Sequence, residues 1–206
     1  KGLQLVRRDN TPHVREVSKE LLDVVLESSD TTAPKALARQ RAVELLEGNV
    51  PNEKLILSQS LSDKYKVKGE YVAYDKVSPD HSNMFTCNDI SMAHVQVVNK
   101  MRIRQPGSEP QSGDRVPYLL VDTGDPKAKA FEKAEDPKYV QENNIKIDYA
   151  YYFLNKFLNP VCDLLEPLFE NPKDDIFGEL LLRAKPPRKK REPKSKQMTI
   201  SDLFKK

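Results

Sequence analysis

The sequence predicts a mostly helical α+β domain followed by a disordered basic tail. Three observations carry that reading. Apolar residues recur at steps of three and four through much of the first 184 residues, the signature of helices with one buried stripe. Short β-prone runs interrupt this pattern at Leu55-Ile56-Leu57 and over 115–121. The charge is divided along the chain. Residues 185–206 hold nine Lys and Arg against two acidic residues, whereas the first 184 hold 25 basic and 29 acidic ones. The formal net charge of +3 is therefore a body at −4 joined to a tail at +7.

Asn10-Thr11-Pro12 is a turn signal, with Thr11 as N-cap and Pro12 in the first helical position. Val14, Val17, Leu21, Leu22, Val25 and Leu26 then form the buried stripe of a first helix. A second helix over 33–47 places Ala36, Leu37, Val43, Leu45 and Leu46 on its apolar side and stops at Gly48-Asn49. After Pro51-Asn52, Leu55-Ile56-Leu57 reads as a short strand. Residues 62–91, rich in Lys, Asp and Ser with scattered Tyr65, Tyr71 and Tyr74, read as an irregular insertion. Met92, Val95, Val98 and Met101 restore the helical period over 92–104, and Lys100, Arg102 and Arg104 suit the negative end of that helix. A turn-rich loop leads to the strand over 115–121, where Pro117 argues for a sheet edge. Asp136-Pro137 and Asp148 open further helices. Tyr149, Tyr152, Phe153, Phe157, Val161, Leu164, Leu165, Leu168 and Phe169 supply core there, and Pro160 and Pro167 break or kink the segment.

Several chemistries lack their residues. Two cysteines, Cys87 and Cys162, are too few for a disulfide scaffold, and a reducing compartment is the default. His81, Cys87 and His94 have neither a fourth ligand nor metal-ligand spacing, so no metal site is expected. No apolar run approaches the length of a membrane-spanning helix. There is no Gly-rich phosphate loop, no His-Glu-x-x-His and no nucleophile with an evident base. The first residues, Lys1-Gly2-Leu3-Gln4, carry no initiator Met, which suggests a piece of a longer chain.

Three separated stretches, in order, carry a family resemblance. Lys1-Gly2 through Arg7-Arg8-Asp9-Asn10 resembles the Lys-Gly…Arg-Arg-Asp stretch of family B DNA polymerases, where the palm passes into the thumb. Ala93-His94-Val95 through Met101-Arg102-Ile103-Arg104, then Pro106-Gly107-Ser108 and Gly113-Asp114-Arg115-Val116-Pro117-Tyr118, resembles the thumb of the delta-type branch. Asp148, Tyr151-Tyr152-Phe153-Leu154-Asn155 and Leu164-Leu165-Glu166-Pro167-Leu168 resemble the helices that close the same thumb. The resemblance implies a palm-to-thumb junction at 1–12 and a thumb over 13–184 that includes the 62–91 insertion. Where the family usually has Thr-Lys after the short strand, this chain has Ser58-Gln59. The longer insertion and the absence of terminal cysteine-rich modules make the chain more like a polymerase of a large DNA virus than the cellular enzyme.

On this resemblance the catalytic aspartates, their Mg²⁺, the fingers and the exonuclease lie upstream of Lys1. The fragment itself needs no cofactor and is inactive alone. Its implied task is to grip primer–template duplex through phosphates and the minor-groove floor, without sequence preference. Lys1, Arg7, Arg8, Arg102, Arg104 and Arg115 are the candidate contacts, gathered on one DNA-facing side of an otherwise acidic body.

The tail divides in two. Residues 185–196 combine three prolines with like charges and no large apolar residue, which predicts disorder. Arg188-Lys189-Lys190-Arg191 within it is a candidate nuclear localisation signal, in a host nucleus if the chain is viral. Over 197–206, Gln197, Ile200, Leu203 and Phe204 resemble the peptide by which partners dock on the sliding clamp. Ile200, Leu203 and Phe204 stand at i, i+3 and i+4, so one helical turn puts them on one face for an apolar pocket. The alternative function is a non-enzymatic DNA-binding adaptor that uses the same tail to join a clamp.

Overall fold

The computed structural model describes residues 10–27, 30–67, 70–73, 91–125 and 127–184. The junction residues up to Asp9 and the whole tail from 185 onward lie outside these, and so do His81 and Cys87.

Two helices open the described chain, α1 (Pro12–Glu27) and α2 (Thr32–Leu46). α1 starts as its sequence dictates. The Thr11 hydroxyl accepts the Val14 N–H at 3.3 Å, and Pro12 occupies a position whose N–H would have had no partner. Its buried stripe is Val14, Val17 and Leu21. Leu26, expected in that stripe, is 76% exposed, while Val25 beside it packs against the core. In α2 the expected stripe holds except at Ala36, which is exposed: Leu45 is buried, and Leu37, Val43 and Leu46 pack against the core. Pro34 is buried as well. Ala38 and Ala42 are fully buried, and α2 packs against both α1 and the last helix of the described chain. α2 ends at Gly48, whose φ of +79° is the left-handed turn that glycine adopts freely.

A single 3₁₀ turn (Asn52–Leu55) leads into β1 (Leu57–Ser60), so the strand begins two residues later than its apolar run suggests. The expected irregular insertion contains a hairpin, β2 (Lys64–Val67) paired antiparallel with β3 (Glu70–Ala73). α3 (Ala93–Arg104) and β4 (Arg115–Leu120) follow. Then come a short helix, α4 (Ala130–Lys133), the two-residue strand β5 (Ala134–Glu135) and α5 (Pro137–Glu142). Asp136 caps α5 by accepting the Tyr139 N–H at 3.2 Å.

The sheet order is β1-β4-β5, with both pairs antiparallel. β4 is thus the central strand, not the edge strand that Pro117 suggested. The proline is tolerated because β5 reaches only Leu119 and Leu120, leaving β1 as the one strand opposite Pro117. α3 packs on β1, β4 and β5.

The last part of the described chain is α6 (Tyr149–Tyr152), a π turn (Phe153–Phe157), α7 (Leu158–Leu165) and α8 (Pro172–Ala184). Asp148 caps α6 by accepting the Tyr151 N–H at 2.8 Å. Pro160 does not break the helix; of the two expected outcomes, break or kink, the structure shows a local distortion just ahead of it. The Leu158 N–H bonds to the Phe153 carbonyl five residues back, and this widened turn spaces the carbonyls ahead of the proline ring. Pro167 does follow the helix end. Phe153, Phe157 and Phe177 pack edge-to-face or offset at centroid distances of 6.0–6.1 Å, the centre of the helical half of the core. The Tyr152 hydroxyl joins this half to the sheet by accepting the Leu120 N–H at 3.0 Å.

His13 stacks on Phe157 at 6.1 Å, and its buried Nε2 has no hydrogen-bond partner among the described residues. Burial, the largest influence, holds its imidazole pKa below the ordinary histidine range. The unfolded chain then binds this proton more readily than the folded one, so stability falls as pH drops below about 6.5. Urea unfolding at pH 7 and pH 5 should show that loss, and His13→Phe should reduce the difference between the two.

Candidate nucleic-acid interface

Ser58, Gln59 and Ser60 all line one cleft of about 720 Å³. Successive strand residues point to opposite faces, so a cleft lined by all three meets β1 at its edge. β4 occupies the other edge. The register places Leu57, Gln59, Val116 and Tyr118 on the core side, and Ser58, Ser60, Arg115 and Pro117 on the outer side. Lys64, Tyr65, Lys66 and Tyr71 of the hairpin form another wall, and Met92 and His94 bring the first turn of α3 to the floor.

The cleft is cationic. Lys64, Lys66 and Arg115 line it together with the hydroxyls of Ser58, Ser60 and Ser62, and no carboxylate lines it among the described residues. The Arg115 guanidinium lies back over β1, donating to the Ser58 carbonyl at 3.0 Å and to the Ser58 hydroxyl at 3.1 Å. The N-terminal end of α3 adds its partial positive charge. The floor is neutral. His94 is buried, and burial alone lowers its pKa. One of its nitrogens lies 3.0 Å from the Tyr65 hydroxyl and the other 2.8 Å from the Gln59 carbonyl oxygen. The Tyr65 oxygen also accepts the Ser62 N–H at 2.9 Å.

Of the six cations expected to face DNA, Arg115 lines this cleft, and Lys1, Arg7 and Arg8 lie outside the described residues. Arg102 and Arg104 sit at the opposite end of α3. About eight to ten residues at 1.5 Å per residue separate them from His94 along the axis. Arg102 pairs with Glu109 at 3.2 Å, and Glu109 also accepts the Gly107 N–H at 2.7 Å, which ties the loop to the helix. Arg104 makes a two-pronged bond to Glu135 at 2.8 and 3.0 Å and lies 3.4 Å above the Tyr139 ring.

Glu135 is a hub. Its side chain is 7% exposed, and it takes up Arg104, Lys100 at 3.3 Å and the Asp136 N–H at 3.0 Å. Burial raises its pKa, but the Arg104 hydrogen bonds and the Lys100 charge outweigh that and hold it below the ordinary glutamate range. Beside it, Lys133 is paired with Asp148, the cap of α6.

Sequence reasoning missed Lys64, Lys66, Gln59 and the His94–Tyr65 pair. A signal for the first two was present. Lys64-Tyr65-Lys66-Val67 alternates polar and apolar residues, and the β-prone Tyr71-Val72 follows just after Gly69, a pattern consistent with a hairpin. The Gln59–His94 contact joins residues 35 apart and had no local signature. Other chemistry is sparse. No group of His, Cys, Asp or Glu among the described residues is arranged to hold a metal ion. Burial pushes the Cys162 thiol up to about 11, away from a reactive thiolate.

The architecture is shared with the family B DNA polymerase from the hyperthermophilic archaeon Pyrobaculum calidifontis. The TM-score is 0.55 at 17% identity, over 78% of this chain and 18% of that one, a likeness of fold alone. Sequence goes further, since the family described as DNA polymerase family B matches residues 1–168. The chain belongs to that family, as the three ordered stretches implied. It is 32% identical over 186 residues to a DNA polymerase of Paramecium bursaria Chlorella virus NY2A, covering 90% of this chain and 18% of the relative. It is 32% identical over 173 residues to the DNA polymerase delta catalytic subunit of Candida albicans, covering 84% of this chain and 14% of the relative. The chain therefore spans less than one fifth of the length of each.

Arg104→Ala should lower stability by about 1–3 kcal/mol, because it strips the buried Glu135 of its main partner. Arg115→Ala should change stability by no more than about 0.5 kcal/mol, since its side chain is exposed. Urea denaturation of both variants tests the contrast.

Proposed function

We propose that this chain is the thumb of a replicative, delta-type DNA polymerase, and that the cleft along β1 holds the sugar–phosphate backbone of primer–template duplex. The observation that carries the proposal is the cleft's composition. Three cations and three serine hydroxyls converge at a strand edge beside a helix N-terminus, with no carboxylate on the wall among the described residues. Such a surface suits phosphates and carries no pattern of donors and acceptors that would select a base. That is what an enzyme moving along duplex requires. Lys1, Arg7 and Arg8 extend the proposed contact from the palm side. Arg102 and Arg104 join it only where a phosphate shares each guanidinium with its carboxylate partner.

In this proposal phosphoryl transfer and its Mg²⁺ belong to palm residues outside this sequence. The basic linker and the peptide Gln197, Ile200, Leu203 and Phe204 tether the enzyme to a ring-shaped sliding clamp. Tethering converts each re-binding into an intramolecular event and raises the effective concentration of enzyme at the primer end. The run Arg188-Lys189-Lys190-Arg191 directs the enzyme to the nucleus, that of the host if the chain is viral. The names of the relatives, viral DNA polymerases and delta catalytic subunits, support this reading.

Duplex binding by the full-length protein tests the cleft. Replacing Lys64, Lys66 and Arg115 together by Ala should flatten the plot of log K against log salt by about 0.9 for every phosphate no longer neutralised, with little base preference before or after. An unchanged slope would remove the cleft from the duplex interface. A separate measurement addresses the tail: Ile200→Ala with Phe204→Ala should abolish clamp binding and leave duplex affinity unchanged.

A further inference from the structure

The hydrogen-bond chain at the floor of the cleft has a direction. Gln59 presents its carbonyl oxygen to His94 Nδ1, and an oxygen cannot donate, so Nδ1 must carry the proton. His94 is kept neutral by burial, which leaves Nε2 as an acceptor, filled by the Tyr65 O–H at 3.0 Å. The Tyr65 oxygen in turn receives the Ser62 N–H. The Gln59 oxygen sets the direction of the whole chain: Ser62 N–H to Tyr65, Tyr65 O–H to His94, His94 N–H to Gln59.

The chain runs from Ser62, which is exposed, through two buried side chains to a second exposed residue. Tyr65 and His94 are buried, whereas Gln59 is exposed and lines the cleft. With its oxygen held at the floor, the other end of the amide is an NH₂ group with two donors and no partner among the described residues. Its neighbours along the strand, Ser58 and Ser60, line the same cleft. A swivelling glutamine offers oxygen or nitrogen indifferently. This one is held so that only nitrogen faces out.

We propose that Gln59 is a further phosphate-contacting residue of this cleft, and that His94 is the positioning residue that aims its amide. The inference rests on the duplex-backbone reading of the cleft and adds a distinct mode of contact. Lys64, Lys66 and Arg115 attract phosphate by charge, and that attraction fades as salt rises. The Gln59 amide displaces no counterion. Its contribution is a directed hydrogen bond that persists at high salt and fixes where along the strand edge a phosphate sits.

The experiment is a salt series of duplex affinity on the full-length protein, with primer–template duplex as the probe. Gln59→Met keeps the side chain's length and removes both donors. It should weaken binding about 3- to 10-fold at every salt concentration and leave the salt slope unchanged. Gln59→Lys should instead steepen the slope by about 0.9. Nitrogen-detected NMR of His94 supplies a readout that mere packing would not move. The neutral ring should carry its proton on Nδ1, and Tyr65→Phe should release it into a mixture of tautomers. If Gln59→Met binds as tightly as the unaltered protein while the Lys64, Lys66 and Arg115 replacements weaken binding, the Gln59 proposal falls and the cleft reading stands. If those three replacements leave binding untouched, both fall. A His94 proton found on Nε2 would overturn the positioning role by itself.

Discussion

Four residue pairs between β1 and β4 determine almost everything else in the structure. Leu57 faces Tyr118, Ser58 faces Pro117, Gln59 faces Val116 and Ser60 faces Arg115. The partners are separated by more than fifty residues, so this ladder is a long-range closure that only burial on the core side can enforce. Leu57, Val116 and Tyr118 provide that burial under α3. A one-residue slip would carry Val116 into solvent and Arg115 into the core. The apolar side of the ladder thus fixes the register, and the register fixes which polar groups stand at the cleft.

α3 separates two electrostatic regimes. At its first turn the groups are neutral, pre-directed or cationic without a carboxylate among the lining residues. At its last turn every described cation is held: Lys100 and Arg104 by Glu135, and Arg102 by Glu109. Internal pairing at one end and availability at the other arise on a helix of only 12 residues. A body with a net negative charge can therefore still present a positive surface, because its acidic residues are spent elsewhere on scaffolding.

What the sequence revealed was local, and what it hid was tertiary. Thr11-Pro12, Asp136-Pro137 and Asp148 announced helix starts because a cap is settled within three or four residues, and each makes the expected bond. The α2 stripe was legible in Leu37, Val43, Leu45 and Leu46, but alanines carry a weak apolar signal, so the fully buried Ala38 and Ala42 were not. Pro117 spoke correctly about its own missing donor and misled about the strand, since β5 begins to pair only two residues further on. Arg102 and Arg104 look like free cations in a linear sequence, because Glu109 and especially Glu135, 31 residues away, come to them only in the fold. The cleft shares the same limit. Arg115 was singled out, but the residues that make it part of a surface come from β1, β2 and α3.

The excursion between Ser60 and Met92 has one more meaning. The chain leaves the cleft wall at β1 and returns to the same wall at the start of α3, after about thirty residues that include the β2–β3 hairpin. Both anchor points belong to the ladder and its covering helix, so the closed end of this loop stays in place whatever its length. Doubling such a loop costs only about 0.6 kcal/mol in closure entropy. Selection could therefore rewrite the outer wall and its charge and leave the ladder beneath it untouched. In this chain the outer wall is an adjustable part mounted on a fixed one.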